Sequence, residues 1–176
     1  MHETTIPRSS SATPCPVARD GRADHPTADG TVARRITDSR KRIPTNEHGA
    51  QVPCVLIVDD DPDLRELAAE VLAQEGWTVV KACSGDDACM RAKADPPDAI
   101  LLDVMMPGPD GFATLQALRA DPATRPVPVI FMSARPDLDE CDLHRRHGAA
   151  GLISKPFEAF RLASLISTKV GWATTR

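Results

Sequence analysis

A chain of 176 residues has room for one domain of ordinary size and an appendage, and 41 % hydrophobic residues suffice for a buried core. Its formal charge of −4 is uneven: residues 1–50 carry 8 Lys and Arg against 6 Asp and Glu, and the remainder carries 13 against 19. An acidic main part, with 3 % aromatic residues and no Tyr, offers neither the basic footprint nor the stacking platforms of a direct nucleic-acid binder, but suits a site that needs a divalent cation.

No apolar run reaches the ~18 residues of a membrane span, and the N-terminus lacks the apolar stretch of a signal peptide. The expectation is a soluble, cytoplasmic protein without membrane insertion. The five cysteines, Cys15, Cys54, Cys83, Cys89 and Cys141, are odd in number and form no C-x-x-C pair. That argues against a disulfide framework or a zinc site and for buried thiols in a reducing compartment.

Residues 1–50 are rich in Thr, Ser, Pro, Arg, Asp and Gly, and their few apolar residues show no period. Such a segment cannot bury enough surface to offset its ordering entropy, so a disordered N-terminal arm is expected. Its run Arg34, Arg35, Arg40, Lys41, Arg42 reads as a solvated linker. From Cys54 the texture changes. CVLIV (54–58) is the short apolar run of a buried parallel strand. A helix follows, capped by Asp61, with Pro62 in its first turn, Leu64, Leu67, Ala68, Val71 and Leu72 at helical spacing, and Gly76 as its stop. WTVVKA (77–82) reads as a second strand. Ser84 and Asp87 suggest a capping box opening a helix to about Lys93, which Pro96 and Pro97 end.

DAILLD (98–103) is the third strand and MMPGPDG a loop. Phe112, Leu115 and Leu118 mark a helix to Arg119. VPVIFMS (127–133) is the fourth strand, 137–147 a weaker helix stopped at Gly148, and AAGLISK (149–155) holds the fifth strand. Pro156 starts a last helix with Phe157, Phe160, Leu165 and Ile166 on one side. Strictly alternating apolar strands and helices imply an α/β fold: a doubly wound parallel sheet of five strands with five helices on its two faces. Sites in such sheets lie at the carboxyl ends of the strands, where strand order switches.

Those ends are distinctive. Asp59, Asp60 and Asp61 follow the first strand, Asp103 ends the third, Ser133 the fourth and Lys155 the fifth. Taken singly, Asp61 is a helix cap, Ser133 a turn residue and Lys155 a solvated charge. Taken together, carboxylates converging in one crevice repel one another unless a cation neutralises them. Oxygen donors without His or Cys select a hard cation, with Mg²⁺ the natural choice. One carboxylate can then take up a phosphoryl group as an acyl phosphate, while a Lys ammonium and a Ser hydroxyl bind the phosphoryl oxygens. Residue chemistry alone leaves open which carboxylate accepts.

The segments VLIVDDDPDLREL, ILLDVMMPGPDG, VIFMSA and LISKPF closely resemble the receiver domain of two-component response regulators, the CheY-like family. The resemblance runs from about Cys54 to Val170, four motifs in order, and places a receiver domain at 53–172. It implies the flavodoxin-like strand order 2-1-3-4-5. It also implies that Asp103 is the phosphoacceptor and a metal ligand, that Asp60 binds Mg²⁺ directly, that Asp59 acts mainly through water, and that the Met105 backbone carbonyl is a further ligand. Ser133 would be the switch hydroxyl and Lys155 the phosphoryl contact, with Pro107 and Gly111 in the turn after the acceptor. A cis Lys155–Pro156 bond is usual in the family.

This sequence departs from the family's pattern at Leu152, where many members carry a Tyr or Phe that moves with the switch hydroxyl. Met105 and Arg135 occupy the two variable positions that flank the phosphoryl site and tune water access. About six residues follow the last helix, so no C-terminal output domain is expected, and signalling would pass by protein contact through the surface of the fourth helix, fifth strand and fifth helix. The implied partners are a sensor histidine kinase or histidine phosphotransfer protein upstream and a protein downstream, with phosphorylation-dependent dimerisation left open. Two other readings compete. A Mg²⁺-dependent phosphohydrolase would need a second Asp two residues after the nucleophile, where this chain has Met105. A binding-only module would have lost the acceptor or the lysine, and Asp103 and Lys155 are both present.

Overall fold

The computed structural model describes residues 52–172. The expected disorder of 1–50, the basic run at 34–42 and Cys15 lie outside the described residues. Five strands, β1 (Cys54–Val58), β2 (Thr78–Ala82), β3 (Ala99–Asp103), β4 (Val129–Ser133) and β5 (Gly151–Ser154), form one parallel sheet in the order β2-β1-β3-β4-β5. They alternate with α1 (Pro62–Gln74), α2 (Gly85–Ala94), α3 (Gly111–Ala120), α4 (Glu140–His147) and α5 (Leu162–Val170). The fold class, strand order and helix number expected from the sequence are those observed.

The period of two along each strand divides the core. Leu56, Val58, Ile100, Leu102, Val129 and Phe131 face one layer, closed by Ala88 and Ala92 of α2, Leu115 and Leu118 of α3 and Leu143 of α4. Val55, Ile57, Leu101, Ile130, Met132 and Ile153 face the other, closed by Ala68, Ala69 and Leu72 of α1 and Leu162 and Ile166 of α5. The three central strands are therefore apolar on both faces, which is why they read as continuous apolar runs.

Local chemistry sets the helix ends. Asp61 caps α1 by accepting from the Asp63 and Leu64 amides. Ser84 caps α2 through the Asp87 amide, but the Asp87 carboxylate pairs with Arg91 one turn on instead of closing a capping box. Several expectations shift. Leu67 is half exposed, because the buried side of α1 runs through Ala68, Ala69 and Leu72. The fourth helix begins at Glu140, where Asp139 supplies the cap, not at 137. The last helix does not begin at Pro156. A 3-10 turn at Ala159–Arg161 precedes α5, Glu158 being extended, and the buried stripe is Leu162 and Ile166 while Phe160 is 75 % exposed. The thiols are less buried than expected: Cys54, Cys83 and Cys89 are partly covered and Cys141 is exposed on α4.

Gly111 draws α3 against the end of β3. A Cβ there would stand 2.4 Å from the Asp103 carbonyl oxygen and 2.8 Å from the Val104 Cα, both backbone atoms that cannot yield cheaply. Gly111→Ala is expected to destabilise the domain by about 1–3 kcal/mol, read as a lower urea midpoint at unchanged m-value.

Candidate functional site

The carboxyl ends of β1, β3, β4 and β5 converge. Asp59 follows β1 and is fully buried, Asp103 ends β3 and is 5 % exposed, and Ser133 ends β4 and is 2 % exposed. Asp60 is exposed at the mouth. Asp59, Asp60 and Asp103 can each place a carboxylate oxygen within 4.8 Å of the others. Lys155 reaches in from beyond β5, its Nζ 2.7 Å from Asp59 Oδ2 and 3.1 Å from Asp103 Oδ1. Of the side chains at the strand ends, the structure brings Asp59, Asp60, Asp103 and Lys155 together, with Ser133 at the end of the neighbouring strand β4. Asp61 stays outside as the helix cap. The Lys155–Pro156 peptide bond is cis.

Backbone bonds fix these positions. Val104 N donates to the Met132 carbonyl and Lys155 N to the Ser133 carbonyl, so sheet pairing continues to the site. Gly111 N donates to the Val104 carbonyl, folding the β3–α3 loop back over the end of β3. Ser133 Oγ accepts from Arg135 N at 3.1 Å. Beside the buried carboxylates lies an open cleft of about 410 Å³, lined by Asp60, Met105, Pro107, Asp110, Phe112 and Arg135. The two variable positions therefore stand at its rim, Met105 61 % exposed. Arg135 is paired with Asp137 through two hydrogen bonds.

Burial pushes the Asp59 carboxyl above its ordinary value, against the hydrogen bond and charge of Lys155 that pull it down. Burial alone would lower the Lys155 ammonium. The hydrogen bonds and charges of Asp59 and Asp103 outweigh it and hold the ammonium above its ordinary value. Sequence reading missed one contact: Arg65 of α1 donates from Nη1 to the Asp59 main-chain carbonyl at 2.6 Å. Its only signal was position, four residues past the Asp61 cap and on the turn that faces β1.

A doubly wound parallel sheet with three carboxylates, a hydroxyl and an ammonium gathered at its switch point defines the class of CheY-like α/β signalling domains. The family described as response regulator receiver domain matches residues 55–167, and the chain belongs to it. It is 33 % identical over 116 residues to the DNA-binding response regulator MtrA of Mycolicibacterium smegmatis, covering 66 % of this chain and 50 % of that protein. It is 39 % identical over 105 residues to the response regulator PleD of Caulobacter vibrioides, covering 59 % of this chain and 23 % of that one. It is 32 % identical over 113 residues to the protein PilH of Pseudomonas aeruginosa, covering 64 % and 93 % respectively. The chain thus spans half or less of the length of the first two. Among solved structures, the chemotaxis response regulator CheY4 of Vibrio cholerae superposes with a TM-score of 0.63 at 26 % identity, over 68 % of this chain and 99 % of that one. A putative response regulator from Chloroflexus aurantiacus gives 0.62 at 30 % identity, over 69 % and 99 %. No helix among the described residues is long and apolar enough to cross a membrane.

Removing the central ammonium leaves Asp59 and Asp103 buried without their counter-charge. Lys155→Met is expected to cost about 3 kcal/mol at neutral pH, the lower end for a broken buried pair because the cleft admits water. Without Lys155 the folded pKa of Asp59 rises further above its unfolded value, so the folded state holds that proton more tightly. The deficit against the native chain should be small at acid pH and open only as pH rises through the raised value that Asp59 holds in the native fold, above the ordinary Asp range. Urea titrations of both chains across that range check the sign.

Proposed function

We propose that this receiver domain accepts a phosphoryl group on Asp103 from the phosphohistidine of a sensor histidine kinase or a histidine phosphotransfer protein, and passes the signal on by protein contact. The observation that carries the reading is the placement of Asp103. It ends a buried strand, pairs with Lys155 and shares a carboxylate cluster with Asp60 at an open cleft. The all-oxygen donor set, with no His or Cys among it, fits Mg²⁺. Asp60, Asp103 and the Met105 carbonyl would hold the ion. Asp59 would act through water, since both its oxygens are already engaged by the Asp61 amide and Lys155. Once bound, the ion supplies charge neutralisation for the phosphoryl oxygens.

An Asp103 carboxylate oxygen attacks phosphorus in line. The bond from phosphorus to the donor imidazole nitrogen breaks, and an acyl phosphate forms. Lys155, already in contact with Asp103, meets the added negative charge. Ser133 turns its hydroxyl from the Arg135 amide to donate to a phosphoryl oxygen. That hydrogen bond exists only in the phosphorylated state, so it is the differential contact that biases the surface formed by α4, β5 and α5 toward a downstream protein. A phosphohydrolase is disfavoured because Met105 stands where its second Asp would be.

The direct test is the intact mass after incubation with acetyl phosphate. A gain of one phosphoryl group is expected with Mg²⁺, none with chelator, and none for Asp103→Asn. Continuous release of phosphate from a generic phosphomonoester would instead support the hydrolase. Met105 and Arg135 at the cleft rim should control water access to the acyl phosphate. Replacing both with small polar residues is expected to change its lifetime severalfold, followed by the decay of the phosphorylated mass, and an unchanged lifetime contradicts that role.

A further inference from the structure

Arg65 lies in the first turns of α1, half-buried, and directs its guanidinium back across the β1–α1 turn to the Asp59 carbonyl. That turn is tied at four further points. Asp59 N donates to the Ala82 carbonyl, the Asp61 amide donates to Asp59 Oδ1, Lys155 Nζ donates to Asp59 Oδ2, and Arg65 N donates to the Asp61 carbonyl. Four of these five bonds end on Asp59. Between the two ends of the turn stands Asp60, exposed, with its carboxylate toward the cleft and within reach of Asp59 and Asp103.

The peptide between Asp59 and Asp60 is one rigid plane. Holding its carbonyl therefore sets the direction of the Asp60 amide and the position of the Asp60 Cα, the point from which its side chain departs. The charged guanidinium makes this a stronger bond than a neutral donor would make. We propose that Arg65 is a positioning residue, which aims the Asp60 carboxylate at the cation site by fixing the Asp59–Asp60 peptide. The inference rests on the cation-assisted reading above and deepens it.

Two physical effects of Arg65 on cation binding have opposite signs. As a bare positive charge near the cluster it repels a metal ion, so its removal would tighten binding. As the residue that orients a ligand it favours the ion, and loss of such outer support weakens metal binding by about 10–100-fold. The bond to Asp59 is short, and it holds the very peptide that leads to Asp60, which favours the second effect.

The experiment is isothermal titration of the full chain with Mg²⁺ alone, comparing the native protein with Arg65→Met, Arg65→Lys and Asp60→Asn. Arg65→Met keeps the apolar stem and removes the donor. Its Kd for Mg²⁺ should rise about tenfold, and Arg65→Lys, which keeps a charged donor, should recover part of the loss. Phosphorylation by acetyl phosphate should then need more Mg²⁺ for half-maximal rate in Arg65→Met while reaching the native maximum, a split that loss of stability alone does not produce. Unchanged or tighter Mg²⁺ binding by Arg65→Met overturns the proposal, whatever its urea midpoint. A native chain that binds no Mg²⁺ overturns the cation-assisted function itself, and this inference with it. Native binding that is lost in Asp60→Asn keeps that function standing, so failure of the Arg65 variants then counts against Arg65 alone.

Discussion

The Lys155 ammonium between Asp59 and Asp103 is the interaction on which the site depends. Carboxylates buried at the ends of neighbouring strands cannot stay ionised together without a counter-charge. The lysine supplies it from the far side of the sheet, after β5, so the bridge links residues 96 positions apart in the chain. It leaves Asp60 and the cleft mouth open. One cation fixed by the chain thus makes the buried carboxylates tolerable while the third, Asp60, stays exposed at the cleft.

The rest of the architecture serves to hold those groups at contact distance. Parallel pairing carries backbone hydrogen bonds up to the last residues of β3, β4 and β5, and Gly111 lets α3 start against the end of β3 itself. Ser133 and Asp103 end adjacent strands, Asp103 standing in register with Met132, the residue before Ser133. Sites on strand ends inherit the rigidity of the sheet, while the loops that rim the cleft are free to differ.

Away from the cluster, packed groups run from the cleft toward α4. Phe112 lines the cleft, and its ring centroid lies 5.0 Å from that of Phe131 and 4.8 Å from that of His147 on α4. Leu152, at the position where an aromatic residue is usual, packs against the same layer. Lys169 of α5 pairs with Glu140 at the start of α4, its stem crossing Gly151, where a Cβ would stand 2.6 Å from it. The two helices flanking β5 are therefore joined by a charge pair whose lysine stem lies over Gly151.

The sequence by itself determined the order of elements, the two-sided burial of the central strands and the identity of the clustered groups. Each of these follows from a local signal: an apolar run, a cap, a polar residue immediately after a strand. The last helix does not start at Pro156, although that residue satisfies a first-turn rule, because the chain bends there and Glu158 is extended, and Phe160 has helical spacing but no partner layer beneath it. The cap role of Asp61 was already legible in the sequence, while only the tertiary structure decided which carboxylates Lys155 contacts. It alone decided, too, that Arg65 holds the Asp59 carbonyl. A one-dimensional pattern carries the period of burial, but the direction of a side chain across a turn is set by the packing of elements far apart in the chain.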